Sequence, residues 1–157
     1  MTPLFKIVAL VFFAVLIILL IRYLYNRAAK KKAVNILHSF MSAWKTQKWH
    51  LMYSFCQTTW CHNHPFQKDG RLFLQDHYRI RYLKEWKIIS KEIVSTTCIK
   101  VWVKITFGSP ISGAGSIHYH NPKTIIANII RESKPYTTSV KGKWGVNPIS
   151  VLKEVKI

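Results

Sequence analysis

The stretch that organises this chain is Ile7–Ile21, IVALVFFAVLIILLI, an apolar run without a single polar residue. An α-helix rises about 1.5 Å per residue, so this run and its flanks are long enough to cross a hydrocarbon core of about 30 Å. Lys6 and Arg22 lie at the two ends, where long basic side chains reach the headgroups. The sequence therefore predicts a transmembrane anchor with a basic flank over residues 1–27.

The flanks of the run distinguish an anchor from a cleaved signal peptide. A signal peptide has basic residues first and a small-residue cleavage site last, whereas here the basic residues follow the run and no such site closes it. Two tyrosines end the segment, at the level where aromatic side chains gather in the membrane interface. The residues that define the predicted single-pass anchor are Leu4, Lys6, Ile7, Ile21, Arg22, Tyr23 and Tyr25.

The same basic residues predict an orientation. Arg22, Arg27 and the triplet Lys30–Lys32 follow the apolar run, whereas Lys6 alone precedes it. Because Lys and Arg are retained on the cytoplasmic side, the rule favours a short N-terminus outside and the C-terminal domain in the cytoplasm. Long domains can cross despite their charge, so an extracytoplasmic domain is the alternative.

The charge of the whole chain restricts its partners. There are 24 Lys and Arg against 6 Asp and Glu, a formal net charge of +18. Such a field attracts anionic lipid or an acidic protein, and the predicted setting is a membrane, within a larger protein complex. No recognised nucleic-acid motif appears, so nucleic acid is not favoured. The residues predicted to contact lipid headgroups or a partner are Arg27, Lys30, Lys31, Lys32, Lys100, Trp102 and Lys104.

Behind the anchor, helical periodicity comes first. Apolar residues recur at three-and-four spacing between Ala33 and Trp44, and again from Trp49 to Cys56, with Thr46 as the predicted N-cap of the second helix. Residues 57–70 lack periodicity and are interpreted as a loop. A third helix is predicted over residues 71–85, and its apolar side consists of Leu72, Phe73, His77, Ile80 and Leu83.

Strand periodicity comes next. Cys98–Phe107 alternates apolar and polar residues, with Trp102 on the polar face between two lysines, and Trp86–Val94 is its predicted antiparallel partner. Another subunit or the C-terminal tail covering that polar face is an equally weighted alternative to an exposed docking surface. Further strands are predicted over residues 116–120, 124–132, 136–141 and 143–146, with a turn at Lys141-Gly142. The order predicts one α+β domain over residues 28–148 and a tail over 149–157.

Three segments carry a family resemblance. They are Ser39-Phe-Met-Ser-Ala43-Trp44, Trp49-His-Leu-Met-Tyr53 and Gly142-Lys-Trp144-Gly-Val146. This pattern resembles the nuclear transport factor two-like superfamily, in which a helix ends in Ala-Trp, a second helix starts at an Asp-aromatic step and a Gly-Lys-Trp strand closes the domain. The chain departs from the pattern at Lys48, where many relatives have an acidic residue.

The resemblance implies a curved antiparallel sheet wrapped around the helices into a cone, with an apolar pocket inside. Relatives include ketosteroid isomerases and dehydratases, and also non-enzymatic, membrane-tethered assembly subunits of secretion machines. The enzymes place an Asp, or an Asp and a His, in the cone. Asp69 and Asp76 do not match those positions, so no catalytic residue and no cofactor are predicted. The favoured function is a non-enzymatic membrane scaffold, and a small-molecule-binding or enzymatic cone domain is the alternative.

Two further groups of residues have ligand chemistry. Cys56, Cys61, His62 and His64 are residue types that bind zinc, although their spacing matches no familiar zinc motif and a structural loop is favoured. A Cys56–Cys61 disulfide is the alternative if the domain is extracytoplasmic. His118 and His120 share one face of a predicted strand, and we interpret that face as the solvent face. His77 is interpreted as a histidine at the edge of the core.

Overall fold

The computed structural model describes residues 3–108, 122–132 and 142–153. Its helices and strands form an α+β fold, with a long N-terminal apolar helix followed by short helices and a four-stranded antiparallel sheet. The elements in chain order are α1 (Pro3–Lys45), α2 (Trp49–Ser54), α3 (Thr58–Asn63), a π-helical turn (Phe66–Gly70), α4 (Arg71–Tyr78), β1 (Leu83–Ser95), β2 (Cys98–Phe107), β3 (Lys123–Arg131), β4 (Trp144–Val146) and α5 (Pro148–Lys153).

Helix α1 is a single helix of 43 residues with two different halves. Every described side chain from Ile7 to Tyr25 is exposed, whereas the second half contributes buried residues from Ala33 onward. By length and composition α1 can cross a membrane, and none of its most apolar window is buried. The side chains of Leu4 and Lys6 lie outside the described residues. The first half is therefore an apolar rod, and the second half is the central helix of the domain.

The buried stripe of α1 follows the helical period. Leu37, Phe40, Met41 and Trp44 of the predicted stripe are buried, whereas Ile36 is half-buried, and Ala33 extends the buried face. The indole N–H of Trp44 donates to the carbonyls of Tyr78 and Arg81, each at 3.0 Å. Trp44 thus ties the end of α1 to the corner between α4 and β1.

The start of α2 differs from the prediction. The hydroxyl of Thr46 donates to the carbonyl of Ser42 at 2.9 Å, so it bonds to the last turn of α1 and does not cap α2. Lys48 occupies the N-cap position and its side chain forms no cap.

The predicted loop over residues 57–70 is wrong, because α3 and the π-helical turn occupy most of it. The cause is tertiary packing. Trp60 is 5% exposed, and the phenol of Tyr53 donates to the carbonyls of Cys61 and His64 at 2.8 and 2.9 Å. These bonds satisfy carbonyls at the end of α3, so a short segment without helical periodicity becomes helical.

Helix α4 ends at Tyr78, seven residues before the predicted end at Glu85. Its buried face consists of Leu74 and Tyr78. On the predicted apolar side, Phe73 is half-buried against the core but Leu72 and Ile80 are exposed, so that side is only partly correct. Strand pairing takes over at Leu83, which is fully buried and lies opposite Phe107. The helical pattern of the sequence therefore extends beyond Tyr78, but sheet formation ends the helix there.

The sheet has the strand order β1-β2-β3-β4, and all its pairs are antiparallel. Strand β2 has the predicted alternation, with Ile99, Val101, Val103 and Ile105 fully buried. Strand β1 is longer than predicted, and its register with β2 shifts at three places. Each shift adds one residue to β1, and such bulges bend a strand and increase its twist.

The C-terminal part completes the core. Gly145 lies where an added Cβ would come within 2.6 Å of the Cys56 carbonyl oxygen, and Cys56 forms a parallel bridge with Val146. The segment interpreted as a tail contains α5, in which Val151 is buried, and the carbonyl of Pro148 accepts a 2.6 Å hydrogen bond from Tyr78. Residues 148–153 thus belong to the domain. The predicted strands 116–120 and 136–141, with His118, His120 and Lys141, lie outside the described residues.

Candidate functional site

A cavity of about 500 Å³ lies where the apolar half of α1 meets the domain. One strand residue, Lys91 of β1, closes it against the helix. We call it the basic cavity, and its described lining consists of Tyr23, Asn26, Arg27, Lys30, Lys31, Val34 and Lys91. Four of these side chains are cationic, and no carboxylate belongs to the described lining.

The helical side of the basic cavity follows from the period of α1. Tyr23, Arg27, Lys30, Lys31 and Val34 are spaced by four, three, one and three residues, which places them on one face. Lys32 does not line the cavity, and helical geometry puts it about 100° further round the helix from Lys31. Of the predicted basic contact residues of α1, Arg27, Lys30 and Lys31 therefore line the cavity, and Lys32 does not.

Lys91 reaches the cavity because of a bulge in β1. Ile88 lies opposite Val103, but Ser90 lies opposite Trp102, so Ile89 is the extra residue. Cross-strand neighbours in an antiparallel pair project to the same face, and Lys91 lies opposite the buried Val101. The bulge thus turns a lysine of an edge strand towards the face on which α1 packs. Sequence reasoning missed Lys91.

A contact at a similar height, on the opposite side of α1 from the cavity, fixes the height of the domain on α1. The guanidinium of Arg131, the last residue of β3, donates to the phenol oxygen of Tyr25. A Cβ added to Gly142, whose φ is +80°, would meet that guanidinium at 2.7 Å. The end of the sheet therefore lies directly beside the last aromatic residues of the apolar rod, without an intervening linker.

A separate groove lies further along α1 and β1. Its volume is about 450 Å³, and His38, Lys45, Glu85, Trp86 and Ile88 line it. The ammonium of Lys45 lies 5.9 Å from the ring centroid of Trp86, and the His38 ring meets Trp86 edge-on at 5.4 Å. This groove brings an imidazole and a carboxylate into one opening, and sequence reasoning did not identify it.

The outer face of the sheet contains the predicted contact residues Lys100, Trp102 and Lys104. Trp102 is half-buried and lies opposite Ile126 of β3, and Lys104 is exposed opposite Lys87. Lys100 lies opposite Glu92, an arrangement in which opposite charges attract. Trp102 and Ile126 therefore form an apolar spot between cations on this face.

The cysteines in and beside α3 form a thiol pair. Cys56 is buried and Cys61 is half-buried, and both thiols are free. The Cys56 thiol donates to the carbonyl of Met52 at 3.4 Å, and the Cys61 thiol donates to the carbonyl of Tyr53 at 3.5 Å. His64 turns away and stacks on Trp60, with centroids 4.9 Å apart, and His62 is exposed. Among residues 3–108, 122–132 and 142–153, no group of three or more His, Cys, Asp or Glu side chains is close enough to hold a metal ion.

The thiol pair has unequal acidities. The hydrogen bond from Cys56 lowers the pKa of the Cys61 thiol, because it stabilises the thiolate, and Tyr53 and Lys143 act in the same direction. Burial raises the pKa of Cys56 well above its usual value. Burial also raises the pKa of Tyr53 to about 12, with the neighbouring Cys61 adding to the effect. Cys61 is thus the more acidic thiol of the pair.

The residues considered for an enzymatic cone do not lie in the core. His77 is exposed, with its ring 4.5 Å from that of Phe73, so the interpretation of His77 as a core-edge histidine is wrong. Asp69 and Asp76 are exposed as well. Within the described part of the chain, the buried residues are apolar, and no Asp, Glu, His, Lys or Arg is among them.

Neither a protein-family model nor a curated protein matches this sequence. The resemblance to the nuclear transport factor two-like superfamily therefore stays a prediction that rests on the segments around Trp44, Trp49 and Trp144. The shape and chemistry of the described surfaces carry the functional proposal instead.

Proposed function

We propose that the protein is a non-enzymatic scaffold or assembly subunit, anchored in a membrane by α1 and presenting its basic domain at the bilayer surface. The observation that carries the proposal is the continuity of α1. Its first half is apolar and exposed, and its second half is the central helix of the core. Burying about twenty exposed apolar residues in lipid removes an exposed surface that a soluble protein rarely tolerates.

The packed interior supports a scaffold over an enzyme. A catalytic cone needs a titratable side chain in an open pocket, whereas Phe40, Trp44 and Tyr78 pack edge-on inside this domain. The partner surface in this proposal is the outer face of the sheet around Trp102, where an aromatic ring between cations suits an acidic protein surface. The resembled membrane-tethered assembly subunits have the same order of anchor and domain.

Alkali extraction tests the anchor. The full-length chain should stay with the membrane pellet in alkaline carbonate and in high salt, because both treatments remove proteins held by charge alone. A full-length chain released into the supernatant would overturn the proposal. Labelling Cys61 and Cys98 in sealed vesicles tests the cytoplasmic orientation in the same preparation, and labelling from the outside alone would reverse it.

The partner surface has a separate test. Trp102→Ala should reduce the size of the native complex in mild detergent, because it removes the apolar centre of the outer face. Leu72→Ala is the matched control, since Leu72 is an exposed apolar residue of α4. An equal complex size for Trp102→Ala and the unmodified chain would exclude this face as the partner surface.

A small-molecule-binding function is the second candidate, and the groove of His38 and Glu85 favours it. Its 450 Å³ volume is within the usual range for ligand sites, and Trp86 offers an aromatic wall. Glu85→Gln and His38→Ala should then abolish small-molecule binding, while the size of the native complex is unchanged. Full function in both variants would remove this candidate.

A further inference from the structure

The basic cavity places four cations around one opening. Arg27 lies three and four residues before Lys30 and Lys31, and such like-charge pairs on a helix repel each other by about 0.2–0.5 kcal/mol each. Lys91 adds a fourth cation from β1. No carboxylate belongs to the described lining, so an anion bound in the opening would offset this repulsion.

The chemistry of the lining suits a phosphate group. The Arg27 guanidinium can donate two parallel hydrogen bonds to phosphate oxygens, and lysines act as point charges beside it. Asn26 and Tyr23 supply uncharged donors at the same opening. The volume of about 500 Å³ accommodates a headgroup and is not a tight anion hole. A phosphate group with more than two free oxygens matches this set of donors better than a carboxylate, which has two.

The height of the cavity selects a lipid as the source. Tyr23 ends the apolar rod, and Lys31 lies about 12 Å further along the helix at 1.5 Å per residue. If the rod spans the hydrocarbon core, Tyr23 to Arg27 lie in the headgroup layer, which extends about 5–8 Å beyond each side of the core. Lys30 and Lys31 start just outside that layer, and their long side chains, which point towards the helix N-terminus, reach back to it. The membrane-side end of the opening then lies at the depth of the phosphates of the adjacent leaflet.

From this geometry we propose that the basic cavity binds the phosphate group of an anionic phospholipid headgroup in the leaflet next to the domain. The proposal rests on the membrane anchorage proposed above. It goes beyond a diffuse attraction of the +18 chain to lipid, because it assigns binding to Lys31 and Lys91 and not to equally basic neighbours. A bound lipid would also join α1 to β1 and stabilise the domain against the bilayer.

Two pairs of matched variants separate a site from diffuse charge. Lys31→Gln and Lys32→Gln make the same change in adjacent residues of α1, and Lys31 alone of the two lines the cavity. Lys91→Gln and Lys87→Gln make the same change in β1, where Lys87 lies opposite Lys104 on the outer face. The pairs have equal net charge, so any difference within a pair arises from position.

The measurement is the dissociation constant of phosphatidic acid from the full chain in neutral detergent, obtained by native mass spectrometry. A basic side chain near a membrane phosphate contributes about 1 kcal/mol, so Lys31→Gln and Lys91→Gln should each weaken binding about fivefold. Lys32→Gln and Lys87→Gln should change it less than about twofold. Phosphatidylcholine, which is zwitterionic, should bind weakly to all variants.

Two results would overturn the proposal. One is an equal loss of binding in all four variants, which would show diffuse attraction. The other is displacement of phosphatidic acid by inorganic phosphate at equal concentration, which would show a site for free anions. Failure of membrane anchorage would appear separately, as release of the unmodified chain in alkaline carbonate, so the two proposals fail in distinguishable ways.

Discussion

Trp44 is the side chain through which the helix with the proposed anchor holds the rest of the domain, and Trp44→Phe tests that role. Trp44 is 1% exposed, and its indole N–H donates to the carbonyls of Tyr78 and Arg81, each at 3.0 Å. Phenylalanine keeps an aromatic ring in contact with Tyr78 but has no donor. It is also smaller, so a small void remains beside Phe107.

The expected cost comes from these two losses. The single indole N–H is shared between the two carbonyls, so Trp44→Phe removes one bifurcated hydrogen bond and leaves both acceptors unpaired, at a cost of about 2 kcal/mol. The void adds about 1 kcal/mol, as for the loss of a few buried atoms. The free energy of unfolding should therefore fall by about 3 kcal/mol. With a urea slope of about 1–3 kcal/mol per molar, the unfolding midpoint moves down by about 1–3 M.

The assay is urea unfolding of the full chain in neutral detergent, followed by far-ultraviolet circular dichroism because both variants change the tryptophan fluorescence. Trp102→Phe is the matched control, since it makes the same change in a half-buried ring on the outer face. Its cost should stay below about 1 kcal/mol. If Trp44→Phe costs no more than Trp102→Phe, the indole bonds do not hold α1 to the α4–β1 corner.

Three further predictions use other contacts. Burial raises the pKa of Tyr78 well above 10.0, so the tyrosine ionises first in the unfolded chain and the free energy of unfolding falls as pH rises above about 10. In urea unfolding, the stability advantage of the unmodified chain over Tyr78→Phe should therefore be largest below pH 10 and shrink above it. A constant advantage would contradict the raised pKa. Cys61 should react with iodoacetamide faster than Cys98, whose pKa is raised by burial, and far faster than Cys56; peptide mapping by mass spectrometry checks the order, which a faster Cys98 would refute. Gly145→Ala should destabilise the domain by about 1–3 kcal/mol or more, because the Cβ of the alanine would lie 2.6 Å from backbone atoms of Cys56 and Gln57. An unchanged melting temperature would show that β4 can move away from that backbone.

Strong periodicity explains which elements the sequence predicts. The buried stripe of α1 from Ala33 to Trp44 and the alternation of Cys98–Phe107 are long patterns, and the structure confirms both. Residues 57–70 have no pattern, and α3 forms because Tyr53 and Trp60 pack there. Local sequence does not encode which distant ring will bond to a carbonyl, so the loop prediction for this segment is wrong.

The residues of the candidate site also divide into those that the sequence predicts and those that it does not. Arg27, Lys30 and Lys31 are predicted contact residues, and the period of α1 places them on one face. Lys91 could not be predicted, because in a regular strand it would lie on the opposite face from Trp86 and Ile88, which face the core side of the sheet. The bulge at Ile89 reverses the alternation between Ile88 and Ser90, and no residue type in this stretch marks its position. Tertiary fit of β1 to α1 and β2 decides it.

One unbroken helix has a consequence for how the domain meets a bilayer. Because α1 runs from Pro3 to Lys45 without a break, the direction of its cationic face at Arg27 is fixed relative to its buried face at Ala33 and Leu37. A flexible linker would leave both the height and the rotation of the domain free. Here Arg131, bonded to Tyr25, also sets the height. If the apolar rod spans the bilayer, the basic cavity must face the headgroup layer in every molecule. Binding a phosphate there then does not cost the entropy of orienting the domain.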